Sequence, residues 1–142
     1  SYNKSLTQGT ATELSVARRE LAATTIGGYA LFAGGYISDG VSDVVDAYNS
    51  SLTRTTPTPL SVVRYSLSAA SINGRAMFAG GNVNGVRGDT VDVYDGSLTR
   101  TTIKSLSVPR EDMAGVCIGN TVLFGGGMDS TYSSTDVVEA YK

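Results

Sequence analysis

The phrase ALFAGG at residues 30–35 returns as AMFAGG at 76–81 and as VLFGGG at 122–127. All three phenylalanines of the 142-residue chain, Phe32, Phe78 and Phe124, sit in it, each 46 positions from the last. The same interval separates Arg18, Arg64 and Arg110. Tyr2, Tyr48, Tyr94 and Tyr141 follow one another at 46, 46 and 47. SLTRTT stands at 51–56 and again at 97–102, with a divergent copy, SLTQGT, at 5–10. A fixed period of about 20 to 50 residues marks a repeat architecture, in which no unit can bury its apolar face alone. The chain therefore reads as a single assembly over 1–142. Its units are 1–46, 47–92 and 93–139, with Ala140, Tyr141 and Lys142 as a tail.

One unit predicts four short strands. LAATTI (21–26) is apolar and β-branched, and Gly27-Gly28 closes it in a tight turn. Asn73-Gly74 and Gly119-Asn120 hold the same place, and such pairs supply the positive φ that a two-residue hairpin needs. YALFAGG (29–35) is a second strand ending in a glycine doublet. SDVVDAY (42–48) alternates as a half-buried strand does, and LTRTT (52–56) runs until Pro57, which cannot donate to a ladder. No segment carries a 3.6-residue period. The class is all-β, and four strands per unit of this length point to the blades of a propeller.

These residues resemble the kelch repeat. An arginine precedes the first strand (Arg18, Arg64, Arg110) and a Gly-Gly doublet closes the second (Gly34-Gly35, Gly80-Gly81, Gly126-Gly127). An acidic, apolar third strand ends in Tyr48, Tyr94 or Tyr141. The resemblance spans essentially the whole chain. It departs from the family where a tryptophan usually follows the tyrosine, since Leu6, Leu52 and Leu98 stand in the neighbouring position. It implies a β-propeller of four-stranded blades, three to the chain. Propellers have about four to eight blades, and three leave two apolar faces open. The segment YNKSLTQGT reads as a spare fourth strand, while TDVVEAY (135–141) reads as a third strand with no fourth after it. The expectation is a homodimer that closes one six-bladed ring by strand exchange. A nine-bladed trimer, a piece of a longer propeller, and a designed chain of duplicated units are the alternatives.

Composition narrows the chemistry. With no His there is no Ser-His-Asp triad and no His-ligated metal, and with one Cys there is no internal disulfide or thiolate cluster. The absence of His also closes the copper route of the galactose oxidases built on kelch-type propellers, and no acidic box of the sialidase type is present. Net charge is −2, against a nucleic-acid footprint. No run long enough to span a membrane and no leader is visible, which with the single Cys favours the cytoplasm. The chain is expected to be no enzyme, to need no cofactor, and to act as a binding module or as a structural, self-assembling unit.

The units diverge at 36–42, 82–88 and 128–135, and binding concentrates in loops carried by a rigid scaffold. The resemblance places these loops on the same face as Arg18, Arg64 and Arg110. Those three, with Tyr36, Arg87 and Tyr132, are the candidate ligand-binding residues for a protein or a small anion, because arginine suits carboxylate and phosphate. The plainer reading, preferred for the three repeated arginines, is that each pairs with Asp43, Asp89 or Asp136, which also repeat in phase. Arg19, opposite Tyr65 and Glu111 in the other units, reads as a solvated charge. Arg87-Gly88-Asp89 spells an adhesion tripeptide, but its acid is the repeat's own. Asn3 and Asn49 fit the glycosylation pattern at positions where a turn already wants asparagine. Cys117, aligned with Thr25 and Ser71, is expected to be a buried structural thiol.

Overall fold

The computed structural model describes residues 9–142 and is all-β, with no helix among them. The structural units are offset from 1–46, 47–92 and 93–139, each running on to its last strand, and in the first of them β1 (Ala22–Ile26) and β2 (Tyr29–Ala33) form a hairpin. A small hairpin follows, β3 (Tyr36–Ile37) with β4 (Gly40–Val41), and then β5 (Val45–Asn49) and β6 (Arg54–Thr55). The second unit repeats this as β7 (Ser68–Ile72), β8 (Arg75–Ala79), β9 (Asn82–Val83), β10 (Val86–Arg87), β11 (Val91–Asp95) and β12 (Arg100–Ile103). The third holds β13 (Arg110–Glu111), β14 (Ala114–Ile118), β15 (Thr121–Gly125), β16 (Met128–Asp129) and β17 (Val138–Tyr141).

Each unit's main sheet is antiparallel and runs in sequence order. The first is β1-β2-β5-β6, the second β7-β8-β11-β12, and the third has three strands among the described residues, β14-β15-β17. The fourth strand expected from the opening of the chain falls largely on residues 1–8, outside the described residues. The two-residue turns form as their sequence requires, with Asn73 at φ 48° and Gly74 at φ 71°. The small hairpins inside the diverging loops were not foreseen. Two-residue strands joined by Ser38-Asp39 or Asn84-Gly85 are too short to show a period of their own.

The sheets stack face on face, with β1 beside β7 and β7 beside β14. Leu31, Val45 and Ala47 of the first sheet meet Ala76, Phe78 and Tyr94 of the second. Met77, Val91 and Val93, on the second sheet's other face, meet Val122 and Phe124 of the third. Each phenylalanine stands edge-on to its own unit's tyrosine, as Phe78 does to Tyr94 with centroids 5.9 Å apart.

A set of backbone hydrogen bonds sews each sheet to the next. Leu60 N donates to Asp43 O, Arg64 N to Ser42 O, Gly35 N to Arg64 O and Ser66 N to Glu20 O, at 2.8–3.1 Å. The second junction repeats the four: Leu106 N to Asp89 O, Arg110 N to Gly88 O, Gly81 N to Arg110 O and Asp112 N to Ser66 O, at 2.8–3.0 Å. The glycine doublets serve this seam. A Cβ at Gly34, where φ is +67°, would lie 2.5 Å from Arg64 O and 3.0 Å from a Leu67 methyl. Gly80 is held in the same way by Arg110 O, Met113 and Leu106. The doublets therefore make room for the entering backbone and its leucines.

Candidate functional site

The three repeated arginines end up inside the sheets. Arg64 is 2% exposed. Its Nη2 donates to Asp92 Oδ2 at 2.8 Å and to Phe78 O at 3.2 Å, while its Nη1 donates to Gly80 O and Thr90 O at 2.8 and 2.7 Å. Arg110 does the same with Glu139 at 2.7 Å and the carbonyls of Gly126 and Val137. Arg18 bonds Asp46 at 2.8 Å, Phe32 O at 3.1 Å and Val16 O at 3.3 Å. Each guanidinium thus ties three or four backbone and carboxylate oxygens of its own unit.

The acids that receive these arginines are Asp46, Asp92 and Glu139, three residues beyond the expected Asp43, Asp89 and Asp136. Strand register decides this. Asp46 lies opposite Phe32 and Asp92 opposite Phe78, the residues whose carbonyls take the same guanidinium. Asp43 and Asp89 precede the strand and lend their backbone carbonyls to the seam instead. Each paired acid is caged further. Ser61 gives Asp92 its N–H and hydroxyl, and Thr102 adds a hydroxyl from the fourth strand. Burial pushes the Asp46 carboxyl up, but the bonds from Ser15 and Arg18 outweigh it and hold the pKa below the ordinary value. Glu139 is held low by the same balance, with Ser107 N–H and Arg110 as donors.

The diverging loops do gather at one end. The segments that carry Arg18, Arg64 and Arg110 pair with the loop hairpins there, through Arg19 with Tyr36, Tyr65 with Asn82, and β13 with β16. Arg87 and Tyr132 come together. The Arg87 guanidinium lies 4.1 Å from the Tyr132 ring centroid, 2.6 Å from Glu111 Oε1 and 3.2 Å from Met128 Sδ. Asn82 Nδ2 holds the other Glu111 oxygen at 2.6 Å. Tyr132 is the cap of this cluster, 72% exposed with φ 61°. A turn closed by Asp129 Oδ1, which accepts the N–H groups of Thr131 and Ser133, holds it there. Asn49 and Asp95 build the same turn elsewhere in the repeat.

Tyr36 belongs to a separate group. Its ring stands edge-on to Tyr65 at 5.4 Å, and the Arg19 guanidinium lies over it at 4.6 Å. Arg19 keeps an exposed side chain beside Glu20. Glu111, Asn82, Tyr65 and Met128 therefore stand beside the candidate residues at this end. The signal for them was present, because 65 and 111 are the places where an otherwise faithful repeat changes its residue. The tripeptide at 87–89 is not displayed, since the Arg87 side chain is 5% exposed and paired. Asn49 uses its amide oxygen to close its turn, and Asn3 lies outside the described residues. Cys117 is exposed, contrary to expectation. It lies near the end of β14, opposite Val122 and on the face turned toward the second sheet.

The class these features define is an all-β fold of stacked, repeating antiparallel sheets. The chain is similar in structure to the solved structure of YjhT, with a TM-score of 0.76 at 15% identity. The match covers 90% of this chain and 43% of that one, so the chain spans less than half its length. No family model matches the sequence, and no curated protein matches it.

Proposed function

We propose that the chain is a non-enzymatic, kelch-like β-propeller module, three blades to the chain, that closes a six-bladed ring with a second copy and presents its loop end to a protein or a small anionic ligand. The observation that carries this reading is the contrast between scaffold and loops. The sheets, seams and buried Arg–carboxylate pairs recur from unit to unit, while Tyr36 with Tyr65, and Asn82 with Glu111 and Arg87, differ at equivalent places on one end. A repeated frame with unlike loops is the usual arrangement of a recognition surface. The guanidinium groups of Arg18, Arg64 and Arg110 are committed to their own sheets and that of Arg87 to Glu111 beneath Tyr132, so contacts at the loop end fall to Tyr36 and Tyr132.

The test starts from a screen of the wild-type chain against proteins and small anions. Tyr36→Ala and Tyr132→Ala should then keep the wild-type melting temperature and lose the partner found. A wild-type chain that binds nothing in the screen favours the second reading, a structural unit whose only property is ring closure. The identity of SLTRTT at 51–56 and 97–102, expected of recently duplicated or designed units, speaks for that reading.

A further inference from the structure

The two ends of the stack are the unmatched halves of a third seam. We propose that a second copy of this chain lays the Leu14, Phe32 and Tyr48 side of its first sheet over Leu123, Val138 and Ala140 of the third, head to tail. This rests on the closed-ring reading and specifies the joint that the reading requires.

Three observations carry it. First, the repeat says which residues lack cover. Val45 and Val91 are 0% exposed, and their counterpart Val138 is 61% exposed. Ile26 is 3% exposed and its counterpart Ile118 68%. On the opposite end, Leu60 and Leu106 are buried while their counterpart Leu14 is half-buried, and Leu14, Ala30, Phe32, Tyr48 and Leu52 line an apolar hollow of about 390 Å³. Second, the glycine socket is built but empty. Gly126 keeps φ +69°, yet the nearest atom a Cβ would meet is Thr135 O at 3.8 Å, where Gly34 and Gly80 are pressed by the next arginine's carbonyl. Third, the seam's backbone groups are available in phase. The repeat pairs Leu14 N with Asp136 O, Arg18 N with Thr135 O, Gly127 N with Arg18 O and Glu20 N with Asp112 O, each across two copies.

A contact between unlike faces is heterologous, and it closes only if the rotation per copy completes a circle. With two copies each gives one face and receives the other. The joint also completes the loop end. It sets the second copy's Arg19 beside Met128, where Tyr65 meets Tyr36 and Glu111 meets Asn82.

Sedimentation equilibrium of the full chain and two variants tests the joint. Val138→Glu and Leu14→Glu change residues that the single chain leaves exposed or only half-buried, so both should keep the wild-type β-sheet signal in circular dichroism. The wild type should have twice the 14.7 kDa chain mass. Each variant alone should dimerise about 100-fold more weakly or worse, because a carboxylate enters an apolar seam. Mixed together, the two variants should dimerise more tightly than either does alone, since one of the two joints in the mixed pair is wild-type. A monomeric wild type overturns both the ring and the joint. A dimer unaffected by either substitution overturns the joint and leaves the ring. A dimer broken by Val138→Glu but not by Leu14→Glu shows like faces meeting, which also overturns the head-to-tail joint.

Discussion

Arg64 and Asp92 show what one residue pair does in this fold. A buried ion pair gains little over an apolar core, but removing one partner strands the other charge at a cost of about 3–5 kcal/mol. Asp92→Ala should therefore lower the unfolding free energy by about that amount in urea titrations, more than removal of any exposed charge. The acids also set a pH dependence. Asp46 and Glu139 are held below their ordinary pKa in the folded chain. Their contribution is complete above the unfolded carboxyl range near ~4 and is lost as pH falls through the folded values. Stability to urea should hold between neutral pH and about pH 5 and fall below about pH 4, and Asp46→Asn should flatten that fall. Glycine gives a third comparison. Gly80→Ala and Gly85→Ala both place a side chain at positive φ, but only Gly80 has atoms in the way. Gly80→Ala should cost more by at least about 1 kcal/mol, read as a difference in urea midpoint.

At the scale of elements, the hairpins, the glycine turns and the sheet order were legible because their residues have local reasons to be where they are. The acid that pairs with each arginine was not. Asp43 and Asp46 both recur in phase, and phase alone cannot choose between them. The choice lies in cross-strand register, which brings Asp46 and the Phe32 carbonyl to one guanidinium. The loop hairpins were illegible for a different reason. Their strands are two residues long, β3 pairing with β4 and β9 with β10, and two residues carry no alternation to read. The cluster at Arg87 was half legible, with Arg87 and Tyr132 named and Glu111 passed over. Arg87→Ala leaves the buried Glu111 carboxylate with only Asn82, so it should destabilise the chain by about 1–3 kcal/mol. The double change with Glu111→Ala should cost clearly less than the sum of the two singles, read as coupling in a double-mutant cycle.

At the scale of the whole molecule, the period of 46 was enough to divide the chain and to forecast three repeating sheets. The burial of Arg18, Arg64 and Arg110 shows the limit of that reading, since a repeated charge can be structural as easily as functional. The seams between sheets have a further consequence for dynamics. Stability in such an array is a sum of unit terms and nearest-neighbour terms, so a unit flanked on both sides is held more firmly than one flanked on one side. The amides of β8 and β11 should therefore exchange with deuterated solvent more slowly than those of β2 or β15 in a lone chain. If the ends are joined, every sheet has two flanks and the gradient from middle to ends should level out. The exchange profile along the chain then reports the continuity of the stack, amide by amide, without reference to its mass.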